Sequence, residues 1–260
     1  MFRTRLLQYG LGVLGAVVAI CVWQLAATAG PLAGSPLPTA GESFTALLGL
    51  LGSGEMWVAT GVTVLTAFLG ILLAAAGGIL LGVWIGVSPL AMHATRVPIE
   101  FLKPIPPIVI LPIAVLVLGP TADMAVFIVF FGCFISIAVQ AAAGVFDTDP
   151  VARDTGRSYG MTRSRILLNI VLPSALPYIG TALRVAAPTS LIAVVVAGLL
   201  GGAPGLGQSL LLAQLDGDRP RLFAYVLILG VLGLLAQGTA TVVERRLLHW
   251  HPQYRKAVDG

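Results

Sequence analysis

An all-α, polytopic membrane fold of six transmembrane helices is what the sequence predicts. Composition, the spacing of the apolar runs and the placement of the basic residues each point to it. The chain has 260 residues, of which 57% are hydrophobic and only 10% charged, and its mean hydropathy is +0.97. A soluble domain carries roughly 25% charged residues because its surface faces water. This much apolar side chain cannot be hidden in one soluble core, so lipid must solvate most of it. The length suits about six spans of roughly 20 residues with short loops, read as a single transmembrane domain over 1–260.

The apolar runs fall at 8–29, 57–87, 105–119, 121–146, 176–200 and 221–243. The first follows Arg3 and Arg5 and ends near Ala27-Thr28-Ala29, which resembles a secretory signal and its cleavage site. Its apolar stretch continues through Val22, Trp23 and Leu25, so an uncleaved first span is expected. Between the first two runs, Pro36, Pro38, Gly52 and Gly54 interrupt the pattern. Phe44, Leu47, Leu48 and Leu51 recur there at helical spacing, as in a short interfacial helix. In the second run, Gly78, Gly82 and Gly86 make two overlapping small-xxx-small units beside Gly70 and Gly77, suited either to a movable gate helix or to plain close packing. The third run is short and begins upstream near Ile99. Pro104, Pro106, Pro107 and Pro112 should bend it, since each removes a donor and disfavours helix before it. That segment reads either as a pathway-lining element or as a kinked entry at the cytoplasmic interface. Cys21 and Cys133 sit in apolar runs and read as packing residues.

Orientation follows from the 15 Lys and Arg residues. With a cytoplasmic N-terminus, the cytoplasmic segments hold Arg3, Arg5, Arg96, Lys103, Arg153, Arg157, Arg163, Arg165, Arg245, Arg246, Arg255 and Lys256. The other side holds Arg219 and Arg221. The positive-inside rule therefore puts both termini in the cytoplasm. It also explains the +4 net charge as a topology signal, with no nucleic-acid partner. Arg184 lies within the fifth span, where a charge costs about 2.5–3.5 kcal/mol, so it must snorkel, pair or face a cavity. Asp216, Asp218 and Arg219 make a solvated outer loop or a contact for a solute-delivering protein. His249 and His251 are too few for a metal site. No phosphate-binding loop, carboxylate pair or nucleophile with its base is present, so neither catalytic nor metal-binding residues are assigned.

The longest break between spans, from Phe146 to about Tyr178, falls on the cytoplasmic side. Asp147 or Asp149 can cap a helix there with Pro150 at its first position. Gly156 and Gly160 weaken its middle, so a short helix, a turn and a second helix are expected. Asp154-Thr155-Gly156, then Gly160, then Ile170, Leu172 and Pro173 follow one another at a spacing similar, without a gap, to the Glu-Ala-Ala loop of ATP-binding cassette (ABC) importer permeases. Thr155 and Gly156 stand where that pattern has alanines. Leu102 to Pro107 with Leu111-Pro112, Leu183-Arg184, Gly205-Leu206-Gly207 and Glu244 to Trp250 resemble the nitrate, sulfonate, taurine and bicarbonate branch of that superfamily. That branch often carries a glutamate where Gly198 stands here.

The resemblance covers nearly the whole chain and implies a type I importer permease in a bacterial inner membrane. Two permease copies would sit on two ATPase subunits, which hold the ATP and Mg; this chain would need no cofactor. An external or periplasmic solute-binding protein would deliver the solute. The loop at about 147–177 would couple the ATPase to the spans. Tyr159, Gly160 and Met161 would form its docking centre and Asp154, Arg157 and Arg163 its polar edge. Pro104, Pro106, Pro107 and Arg184 are candidate pathway residues. The expected solute is a small oxyanion such as nitrate, sulfonate, taurine or bicarbonate, the alternative a vitamin precursor or other small organic. A stand-alone secondary transporter would need central intramembrane acids, yet Glu100 and Asp123 fall at span ends.

Overall fold

The structure, a computed structural model, describes residues 2–29 and 34–250, with their side chains from residue 10 onward. Arg3, Arg5, His251, Arg255 and Lys256 lie outside the described side chains. Among the described residues the regular structure is helical throughout. Five of the described helices are long and apolar enough to cross a membrane, and a bent pair, taken as one broken span, brings the number to six. The chain forms two compact units, residues 1–58 with 209–230 and residues 59–208 with 231–260.

The smaller unit contains α1 (Phe2–Thr28) and α2 (Ala40–Leu51). Trp23 Nε1 donates to the Pro38 carbonyl at 3.0 Å, and Gln24 Oε1 accepts from the Ala40 N–H at 2.9 Å. Both bonds fix where α2 begins. Thr39 and Glu42 close a capping box, each side chain accepting from the other's backbone N–H. Hydrogen bonding to the carboxyl, from the Thr39 backbone N–H first and its side chain second, holds Glu42 below its ordinary value. The cap is therefore complete above the ordinary carboxylate pKa and is lost as pH falls through the depressed one. In acid, α2 should fray before the spans do, which amide exchange corrected for intrinsic rate would read. Phe44, Leu48 and Leu51 remain exposed, as an interfacial helix requires.

The larger unit is built around α6 (Ala122–Phe146), whose buried residues include Ile128, Val129, Cys133, Ile137, Ala138 and Ala141. Around it pack α3 (Gly54–Val87), α5 (Pro107–Leu118) and α9 (Leu172–Gly201). The core is rich in alanine, and small residues let the backbones approach closely where dispersion, not water, drives association. The glycine stripe of α3 is a packing surface. Gly70 faces Val129, Gly78 faces Phe134 and Ile137, Gly82 faces Ala138 and Ala141, and Gly86 faces Val145. The pairing ascends on both helices together, so α3 and α6 run parallel.

The third span is broken. α4 (Pro89–Leu102) and α5 meet at an angle of 91° across four residues. Pro98 and Pro112 are accommodated inside the two helices. The bend sits at Lys103–Pro106, where Pro104 and Pro107 deny the Glu100 and Lys103 carbonyls the donors of a continuing helix. Pro107 packs on Gly132, near the middle of the 25-residue α6. Lys103, placed in a cytoplasmic loop by its sequence position, is thus level with mid-span. The helix also starts further upstream than Ile99, because Ser88 caps it and Pro89 opens it.

Candidate coupling surface and solute path

The loop after α6 folds as a capped helix, a turn and a second helix. Asp149 accepts from the Val151 N–H at 2.8 Å and starts α7 (Pro150–Ser158), with Pro150 at its first position. The helix passes through Gly156 to Ser158, and Gly160 follows its cap at Tyr159. There the Met161 N–H reaches the Gly156 carbonyl at 3.0 Å and the Gly160 N–H reaches the Arg157 carbonyl at 2.9 Å. This double bond pattern needs a left-handed residue after the helix, and Gly160 supplies it with φ +73°. Thr162 then caps α8 (Arg163–Ile166), and one π-helical turn, Leu167–Val171, leads into α9. In that turn the Leu172 N–H bonds five residues back to the Leu167 carbonyl. Pro173, which has no N–H to give Asn169, follows directly.

The residues expected to dock divide into two sets. Asp154, Thr155, Arg157, Tyr159, Gly160 and Arg163 are exposed, Tyr159 by 83%. Gly156 and Met161 turn inward instead. Gly156 is buried against Ile166 and Ile170, and Met161 packs with them in the cluster that contains Val145, Val171 and Ala175. The turn aims the second residue after the helix back across it, so Met161 anchors α7 from beneath rather than standing at a docking centre. Gly156 leaves the helix regular and lets it lie close on its neighbour. Ile170, Leu172 and Pro173 are half-buried in the π turn and the start of α9. Arg157 pairs with Asp154 at 2.8 Å, both side chains open to solvent, so this pair shapes the surface and stabilises little. Below, the Arg153 guanidinium donates to the Val145 carbonyl and Tyr178 donates to Asp147 at 2.9 Å, tying the loop to the ends of α6 and α9. A cavity of about 510 Å³ beside it is lined by Asp147, Asp149, Asn169, Pro173 and Trp250.

Arg184 pairs. Its Nε lies 3.2 Å from Glu244 Oε2 on α11 (Arg219–Leu247), with the arginine side chain 38% exposed and the glutamate 2%. That oxygen accepts no aligned hydrogen bond, so the contact is an ion pair; Thr181 donates to Oε1 at 3.3 Å. The pair borders an apolar cleft of about 560 Å³ between α3, α9 and α11. The proline break faces a different one, shared with α6. Arg184 and Pro104, Pro106 and Pro107 are therefore not brought together. Glu244 was missed by sequence reasoning, which read it with Arg245 and Arg246 as an end signature. A single acid at the end of one span and a single arginine within another were the signal.

At the C-terminal end of α9, Gly198 abuts Gly207, and a Cβ at Gly198 would come 2.8 Å from the Gln208 nitrogen. Thr63 accepts from the Leu206 N–H at 2.9 Å and caps α10 (Leu206–Leu215). No side chain fits at position 198, which accounts for the missing acid.

A bundle of apolar spans with a broken third helix and a capped helical knob in one loop defines a membrane transport subunit. Residues 78–249 match the family described as binding-protein-dependent transport system inner membrane component, and the chain belongs to that family. It is 27% identical to the nitrate import permease protein NrtB of Leptolyngbya laminosa over 236 residues, 89% of this chain and 85% of that protein. It is 26% identical to the taurine transport system permease protein TauC of Escherichia coli (strain K12) over 242 residues, 90% and 87% of the two chains. Among solved structures, the inward-facing MetNI methionine ABC transporter shares the fold with TM-score 0.60 and 20% identity, covering 74% of this chain and 94% of that one. A bacterial importer of the acidic polysaccharide alginate does so with TM-score 0.61 and 14% identity, covering 95% and 99%. The chain is an inner-membrane permease of an ABC importer, a class whose ATPase is a separate subunit.

Proposed function

We propose that this permease carries a small oxyanion of the nitrate or sulfonate kind and is driven through α7 by its ATPase. NrtB and TauC, each matching about nine-tenths of the chain, are named for nitrate and taurine, which supports the solute class. The observation that carries the coupling role is the build of α7: capped at both ends, anchored from beneath by Gly156 and Met161, and presenting Tyr159 with Asp154, Thr155, Arg157, Gly160 and Arg163 outward. An exposed aromatic on a rigid platform with a charged rim suits a protein interface better than open water. A stiff helix also passes on displacement, which coupling two states requires. Ile170, Leu172 and Pro173 join the knob to α9. A second permease copy, two ATPase subunits holding ATP and Mg, and an external solute-binding protein complete the assembly. Both termini lie in the cytoplasm, as the positive-inside count supports.

The test is Arg157→Glu combined with Tyr159→Ala. Co-purification with the ATPase should weaken by about thirtyfold, the scale of a hot-spot loss near 2 kcal/mol, while membrane insertion stays normal. A complex retained at full strength, with ATP-dependent nitrate or taurine uptake unchanged, refutes the docking assignment.

A further inference from the structure

Along the second half of α6, polar side chains face outward, whereas the exposed side chains of α3 at Leu65, Leu69, Leu73 and Leu80 are apolar. Ser136 and Gln140 stand one turn apart, both exposed, and neither side chain bonds to any described residue. They share a concavity of about 100 Å³ with Gly132 and with Thr189 of α9. Gly132 and Ser136 also line the adjoining cavity of about 180 Å³ at the broken span, where Lys103 is exposed. The two cavities make one stripe: a cation, two hydroxyls and an amide. No carboxylate lines either of them, and Arg184 with its acid borders the other cleft.

A lysine and an unbonded amide directed at lipid within a span are disfavoured. Irregular backbone at membrane depth persists only where protein or a watery cavity satisfies it, and the break at Lys103–Pro106 opens on the same stripe. Water along it would satisfy all three features. Resting on the importer reading above, we propose that Lys103, Ser136, Gln140 and Thr189 form a water-accessible, weak binding site for a small oxyanion. Lys103 supplies the charge and Ser136 and Gln140 supply donors, while Thr189, whose hydroxyl donates to the Val185 carbonyl at 2.9 Å, offers its oxygen to the water of the stripe. One cation among neutral donors attracts the solute yet releases it, the balance that passage requires.

The test uses cysteine scanning in membranes containing the full chain, with Cys21 and Cys133 replaced by serine. Gln140→Cys should react with both an anionic sulfonatoethyl and a cationic trimethylammonioethyl methanethiosulfonate, whereas Leu80→Cys, directed at lipid, should not. At Gln140→Cys the anionic-to-cationic rate ratio should exceed that of a small free thiol by about a hundredfold, since one nearby charge that speeds the anion by about tenfold slows the cation by as much. A shift in thiolate fraction affects both reagents alike, so the ratio isolates the field. Adding Lys103→Met should abolish the preference, and Lys103→Arg should retain it. No reaction at Gln140→Cys, because lipid or a second copy covers it, overturns the site; so does reaction without a charge preference, or a preference that survives Lys103→Met. The assay needs neither ATP nor transport, so its failure is distinguishable from failure of the importer reading.

Discussion

Gly82→Val should destabilise the chain more than any other single change on the glycine face of α3. A Cβ there would lie within contact distance of the Ala138 carbonyl oxygen, 2.7 Å from the Ala141 Cβ and 2.9 Å from the Ala142 nitrogen. Two of these are backbone atoms of α6 and cannot swing aside, so the helices must separate. Overpacking usually costs about 1–3 kcal/mol, and the upper end applies because close packing is what holds membrane helices together. Gly77→Ala should cost less, since the atom it meets at 3.0 Å belongs to the Phe134 ring, which can tilt. Gly61→Val, with open space around it, should be close to neutral. Thermal unfolding in detergent should rank the three in that order, and equal midpoints for Gly82→Val and Gly61→Val would contradict the packing account.

Arg184→Ala should be the second large effect, and larger than Glu244→Ala. The two partners differ in burial, 38% against 2% exposed, so removing either leaves a different remainder. Without the arginine, a fully buried carboxylate has only Thr181; without the glutamate, the guanidinium can still reach the cleft. Breaking a buried pair from one side costs about 3–5 kcal/mol. The partial exposure of Arg184 puts Glu244→Ala below that range. The double variant Arg184→Met with Glu244→Leu should recover most of the loss, because an apolar pair of similar size needs no desolvation. The same unfolding assay decides: a double variant as unstable as Arg184→Ala would mean that the charges, not their mismatch, hold α9 to α11.

The spans were legible because lipid imposes a length and a composition, and both can be counted along a chain. The glycine stripe was legible for a related reason, since spacing of four marks one helix face. What it packed against was not, for nothing near Gly82 names Ala138 and Ala141. The prolines at 104, 106 and 107 announced a break but not its depth, which depends on Pro107 meeting Gly132 on another helix. Counting basic residues by loop therefore set Lys103 on the cytoplasmic side. Met161 was misread as a docking residue because its direction comes from the turn at Gly160, which returns the chain across its own helix. Arg184 and Glu244 lie sixty residues apart, and the acid was hidden beside two arginines. Gly198 carried the plainest warning, an absent acid, whose cause is the backbone of Gly207 lying against it.

The wide turn at Leu167–Val171 has a geometric consequence for everything before it. It winds one residue more than an ordinary turn would hold. Rewinding it to regular pitch would swing the preceding segment by about 100° around the axis of α9 and slide it about 1.5 Å along that axis. A single surplus residue thus sets the azimuth at which Tyr159 points, and deleting one residue there would re-aim the knob without altering a side chain on it.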